Sequence, residues 1–211
     1  PITSGILGEV NITVTKHNYI PNLGSFEIIQ ESRTVSVSAT DVDDDNSGTS
    51  SGNNNSNVNP GESIEFGIEL ENSGTGGCNG VTAVLSTDSE FVTITDNTET
   101  YGDIASGVST FSSDDFDFTV DYNTLGGTEI EFTLSITGGH GYSNTDYIYV
   151  TVQGPNLQAD SFSVIGGNSM LDPGETADVT VTIENIGTVS AGAVYGTLSC
   201  SNSLLTINDD T

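Results

Sequence analysis

Between Asp41 and Glu62 the chain reads DVDDDNSGTSSGNNNSNVNPGE, the densest gathering of potential ligands in the sequence. Asp41, Asp43 and Asp45 alternate, the spacing with which a loop aims carboxylates at one hard cation, and Asn46 and Gly48 follow as turn residues. An EF-hand is excluded, because the twelfth position counted from Asp41 is Gly52, where that loop needs a bidentate glutamate. A looser oxygen site remains. The pattern predicts one calcium held by some of Asp41, Asp43, Asp45 and Asn46, with Glu62 contributing from the start of the next strand. The competing reading is a solvated connection that binds nothing. Calcium suits such a loop better than magnesium, since asparagine and backbone carbonyls tolerate its larger, irregular shell.

Other reactive residues are few. The only cysteines are Cys78 and Cys200, and the only histidines are His17 and His140. A Cys–His nucleophile needs a thiolate in an electropositive, accessible pocket, whereas thirty Asp and Glu here face only Lys16 and Arg33, a formal charge of −28. No Cys/His spacing suits zinc, and carboxylates are too abundant for a glycosidase pair to stand out. The expectation is a chain without catalysis. The same charge argues against nucleic-acid partners, whose binding is built on cationic contacts and counterion release, and implies that compactness needs screening salt or bound cations. No apolar run approaches the roughly 18 residues of a membrane span, so no membrane insertion is expected. Tryptophan is absent and the tyrosines are scattered, so no aromatic sugar platform is legible.

The elements that must position these residues emerge from an internal repeat. Residues 59–98 and 172–211 align without a gap at an offset of 113, with fourteen of forty positions identical, including Pro-Gly-Glu, Glu-Asn-x-Gly-Thr and Leu-Ser. A repeat of this length marks a copied domain. Inside it the apolar residues recur every second position: Ile64, Phe66, Ile68 and Leu70 in one copy, Val179, Val181 and Ile183 in the other. Further runs at 35–39, 80–85, 91–94, 116–122, 129–136 and 147–152, separated by Gly/Asn/Asp/Ser turns, read as the strands of an all-β fold of tandem immunoglobulin-like β-sandwich modules. The first residues, EVNITVTKHNYIPNLGSFEII, parallel EIEFTLSITGGHGYSNTDYIYVTV at 129–152. Residues 1–32 are therefore expected to be the closing hairpin of one module, 33–154 a complete module, and 155–211 the first half of another. Phe66, Ile68, Leu70, Val81, Leu85, Ile94, Phe118, Phe132 and Leu134 are the expected core. Cys78 and Cys200 occupy unequal repeat positions, which favours small buried residues, or partners of cysteines outside this chain, over a mutual bridge.

The hairpin GEVNITVTKHNYIPNLGSFEII and the pattern NPGE…IELENSGTG…VTAVLST…VTITD…YGDI resemble the Ig-like modules that follow the catalytic domain in secreted gingipain-like cysteine peptidases. The resemblance implies an extracellular protein, secreted or on the cell surface, in which these modules are accessory parts. It carries no peptidase activity to this chain. The Gly-His-Gly around His140 is similar to the setting of the catalytic histidine in such peptidases, but His140 falls in the turn corresponding to that of His17 and reads as turn chemistry.

The function expected is that of a spacer, stabiliser or adhesion element beside a peptidase domain outside this chain. Its partners would be neighbouring modules or other subunits, with host or cell-surface proteins or glycans as further candidates. The opening PITSG, with no initiator methionine, reads as an internal piece of a longer precursor. The rival expectation is a filament subunit, assembled head to tail as strands of one copy complete the sheet of the next.

Overall fold

The computed structural model describes residues 8–28, 30–166 and 169–209. Its strands are β1 (Gly8–Val14), β2 (Asn22–Ile28), β3 (Val35–Asp43), β4 (Ser63–Asn72), β5 (Cys78–Ser86), β6 (Val92–Asp96), β7 (Thr98–Ile104), β8 (Ser109–Phe111), β9 (Phe116–Val120), β10 (Glu129–Gly138), β11 (Tyr142–Thr151), β12 (Leu157–Ile165) and β13 (Asp178–Asn185). A single 3₁₀ turn, Gly139–Gly141, is the only helical element among the described residues. The chain is all-β, and its sheets are antiparallel.

Between residues 35 and 152 two sheets enclose one core. One has the order β3-β4-β9-β6, with β8 beside the far half of β4; the other has the order β11-β10-β5-β7. Alternation makes this possible, because β4 buries Ile64, Phe66, Ile68 and Leu70 while Glu65, Glu69 and Glu71 stay at the surface. Phe66 and Phe118 from the first sheet meet Phe132 from the second, with ring centroids 6.0 Å and 5.0 Å from it. Eight of the nine residues expected in the core are fully buried, and Ile94 packs against it partly exposed. Two strands, β7 and β8, were not legible. β7 turns Glu99 and Tyr101 inward, so the usual apolar cue for a buried face is broken there.

Several residues identical between 59–98 and 172–211 make matching hydrogen bonds. Asn72, wholly buried, accepts the N–H groups of Thr34 and Gly74 on Oδ1 and donates through Nδ2 to Gly76 O and Ile104 O. Asn185 accepts from Asn156 and Gly187 and donates to Val189 O. In the Pro-Gly-Glu turns, the N–H of Asn59 donates to Glu62 Oε2 and that of Asp172 to Glu175 Oε2, at 2.9 Å and 3.1 Å. Register matches as well: Val35 opposes Asn72, Leu157 opposes Asn185, and each leading strand carries its irregularity three residues on.

The hairpins β1–β2 and β12–β13 differ from the central unit in burial. Val179, Val181 and Ile183, the counterparts of buried Phe66, Ile68 and Leu70, are 46%, 43% and 47% exposed, because no second sheet faces them among the described residues.

Candidate functional site

The aspartate-rich insertion does not stand free. Its first two predicted ligands, Asp41 and Asp43, lie within β3 rather than in the loop. After Asp43 the chain turns sharply: the N–H of Asp45 donates to Asp43 Oδ1 at 3.0 Å, and that of Ser47 to Asp45 Oδ1 at 2.7 Å. Asn46, at φ +69°, ties the turn to the far side of the loop by donating from Nδ2 to Gly52 O. These are the local side-chain-to-backbone bonds that aspartate and asparagine favour in turns.

Asp44, which the sequence reading left outside the ligand set, is the organising residue. It is 1% exposed, and its carboxylate accepts the N–H groups of Asn53 and Asn55 on Oδ2 and of Ser56 on Oδ1, at 3.3, 3.1 and 3.0 Å. The backbone of residues 53–56 thus wraps one anion. Burial alone would raise the Asp44 pKa, but the N–H donors outweigh it and hold the carboxyl below its ordinary value. Glu62 lies against the same segment, accepting from Asn53 N–H and Nδ2 and from Asn59 N–H. Burial, and then the charge of Asp44, push its pKa up.

Of the five predicted ligands, Asp43, Asp45 and Asn46 share one turn, Asp41 stays two residues back on the strand, and Glu62 turns to the Asn53 and Asn59 side. Among the described residues no three His, Cys, Asp or Glu side chains converge in a way that could hold a metal ion. The chemistry of the set nevertheless fits a hard cation: all its donors are oxygens, and Asp43 and Asp45 are exposed.

The tip of the insertion lies across the outer face of the first sheet. Cross-strand pairing puts Asp43 opposite Glu65, Glu65 opposite Asp117, and Asp117 opposite Asp96, a row of four carboxylates over β3, β4, β9 and β6. Like charges directly opposed destabilise a sheet. Burial and then neighbouring carboxylates raise the pKa of Asp115, while that of Asp117 is raised by burial first, against a hydrogen bond from Thr49. Thr49 Oγ1 donates to Asp117 Oδ2 at 2.9 Å, and Gly48 passes so close that a Cβ there would sit 2.4 Å from Glu65 Oε1. The insertion therefore covers the middle of an acidic row.

A groove of about 540 Å³ opens at the end of the second sheet, lined by Asp88, Glu90, Phe91, Glu129, Glu131 and Thr133. It holds no histidine or cysteine. Cys78 lies elsewhere, beneath the β10–β11 turn: a Cβ on Gly138 would be 2.6 Å from its Sγ. That brings the thiol close to the turn of His140, a proximity the sequence did not suggest. Burial, eased by the charge of Arg33, raises the Cys78 thiol pKa, the reverse of nucleophile activation. His140 itself is left-handed, at φ 60° and ψ 25°, in the turn. Cys78 and Cys200 are both free.

Fold and loop together define a class: an acidic, all-β protein whose distinctive polar residues bind its own backbone. No family model matches the chain, and no curated protein matches it. Among the described residues no helix is long and apolar enough to cross a membrane.

Proposed function

We propose that the chain is a non-catalytic run of immunoglobulin-like modules in a secreted or cell-surface protein, serving as spacer, stabiliser or adhesion element beside a gingipain-like peptidase domain outside this chain. The observation that carries the reading is the duplicated hydrogen-bond apparatus of Asn72 and Asn185, Glu62 and Glu175. Residues that repeat because they hold each copy together are the mark of a module whose task is to persist and to space. The facing orders β3-β4-β9-β6 and β11-β10-β5 support the immunoglobulin-like assignment, with β7 as an added edge beside β5. Calcium at the turn of Asp43, Asp45 and Asn46, without Asp41 and Glu62, is the proposed ion of the insertion.

The test is direct. The purified chain should leave peptides cut at lysine or arginine intact and scatter X-rays as an elongated monomer. Hydrolysis that disappears with Cys78→Ser would sink the non-catalytic reading.

A second reading, the strand-complemented filament, is favoured by one observation. Apolar side chains are exposed on both outer hairpins, among them Leu23 and Val14 on β1–β2 and Phe162 on β12–β13. Filaments growing with concentration and lost in Phe162→Asp would establish it; a monomer at all concentrations would remove it.

A further inference from the structure

The five residues joining β11 to β12, Val152 to Asn156, have the composition of an ordinary linker, VQGPN. Their backbone tells otherwise. On the side of the central unit, Val152 N–H donates to Thr128 O, Gln153 N–H to Val58 O, and the carbonyls of Val152, Gln153 and Pro155 accept from Gly127 N–H, Asn59 Nδ2 and Gly126 N–H. From the following hairpin, Thr188 Oγ1 accepts the Gly154 N–H at 3.0 Å, and the Thr188 N–H returns to Gly154 O at 2.9 Å. Asn156 N–H donates to Asn185 Oδ1, and Asn156 O accepts from Ile186 N–H. Every N–H and C=O in the segment has a protein partner, four donors and five acceptors in all. A flexible linker would leave them to water.

Close approach of three glycines makes this geometry possible. A Cβ on Gly126 would stand 1.7 Å from Gly154 O, and one on Gly187 would stand 2.4 Å from the same oxygen. Gly154 is thus gripped between a loop of the central unit and a loop of the next. The grip on the downstream side has a copy. Thr75 Oγ1 accepts the Ser32 N–H at 3.0 Å, Ser32 O accepts from Gly76 N–H, and Thr34 pairs with Asn72 and Ser73 as Asn156 pairs with Asn185 and Ile186. The shared Asn-x-Gly-Thr is the motif at both places.

We infer that the Asn-x-Gly-Thr loop is a socket for the chain leaving the preceding module, so that consecutive modules are set at one fixed angle and the array is a stiff rod. The partner surface is the end of β11 and the Leu125–Gly127 loop of a module of the same kind. This rests on the modular reading above and adds a mechanical property that reading does not require, since modules can equally hang on loose tethers.

The experiment measures residual dipolar couplings and amide exchange on the whole chain. Couplings from 35–152 and from 157–185 should fit one alignment tensor, with slow exchange at Gly126, Gly154, Asn156 and Thr188. Gly126→Ala should split the fit into two tensors and release those amides. Thr188→Val removes the hydroxyl without touching the backbone contact and should act in the same direction, which keeps the test sound if Gly126→Ala misfolds. Gly192→Ala, where a Cβ meets nothing within 4 Å, is the neutral control. Two independent tensors in the unmodified chain overturn the stiff joint, as does a joint unchanged by both Gly126→Ala and Thr188→Val. Couplings within 35–152 that fit no common tensor would instead strike the modular reading itself.

Discussion

Replacing Asp44 by alanine asks whether the insertion is held by an anion wrapped in backbone donors. Three N–H groups, at 3.0, 3.1 and 3.3 Å, lose their acceptor. Bonds to a charged group contribute about 1.5–3 kcal/mol each when the donors are sealed from water. Here Asn53, Asn55 and Ser56 are exposed, so water replaces part of the loss and about 1 kcal/mol per bond is the better figure. The expected cost is about 3 kcal/mol, a large share of a typical domain stability of about 5–15 kcal/mol. At about 2–4 °C per kcal/mol for a chain of this size, the melting midpoint should fall by roughly 6–12 °C. Asp44→Asn keeps one acceptor oxygen and turns an amide donor toward the remaining N–H, so its loss should lie between wild type and alanine. The assay is thermal and urea unfolding, with amide exchange read at residues 53–56. A cost below about 0.5 kcal/mol, with unchanged exchange, would refute the wrapped anion. Calcium provides the second arm: if it binds at Asp43 and Asp45, a hundredfold excess over Kd adds about 2.7 kcal/mol. That gain should vanish in Asp43→Asn/Asp45→Asn and survive in Asp44→Ala. Equal midpoints in calcium and in chelator would remove calcium from the loop.

Phe66→Ala, which empties the contact among three rings, should cost about 3–5 kcal/mol in urea unfolding; a loss under about 1 kcal/mol would mean the core is not built around it. In native conditions an alkylating reagent should label Cys200 at once and Cys78 only after unfolding, since one thiol is exposed and the other buried with a raised pKa; equal rates would contradict that placement. The pH dependence has a definite sign. Glu62, Glu99, Asp115 and Asp117 have raised folded values, each with burial as the first cause, so their stabilising contribution is present in acid and lost as pH rises through those values. Asp44, with a lowered value, contributes above the ordinary carboxylate range and loses that contribution as pH falls through its folded pKa. Stability should therefore climb as pH drops from neutrality toward the carboxylate range and decline beyond it. The rise should shrink in high salt, which screens the acidic row, without disappearing. A monotonic fall in stability from neutral pH downward would contradict the assignment.

What could be read in advance was whatever obeys a simple period. Ile64, Phe66, Ile68 and Leu70 announce both the strand and its buried face, because a half-buried strand must alternate. β7 escaped because its inward positions are Glu99 and Tyr101, and a buried carboxylate on an edge strand breaks the hydropathy rule that finds strands. The hydroxyl of Tyr101 donates to Ile68 O, a contact set by tertiary placement alone. Asn72 and Asn185 were visible as identities within the repeat, yet their task was not. An asparagine that joins two loops is recognised by its partners, and residues 32–34 and 74–76 are neighbours only after folding.

The insertion shows the same limit in sharper form. Alternation at Asp41, Asp43 and Asp45 singles out the side chains on one side of the chain, the natural choice for a cation site. Asp44, between Asp43 and Asp45, falls outside that alternation. On a strand ending in a turn, however, the odd residue points the other way, toward the returning segment 53–56. With −28 net charge available, one carboxylate turned inward can be matched by backbone N–H groups at no cost in cations. The outward ones are exposed and each accepts only one backbone N–H, and Asp43 stands opposite Glu65 at the head of the row that runs on to Asp117 and Asp96. One loop therefore contains both answers to a surplus of acid. Asp44 keeps its charge, matched by backbone N–H groups, and the row beginning at Asp43 is left to salt or calcium, which is why the gain from added calcium should survive substitution of Asp44 and vanish with Asp43 and Asp45.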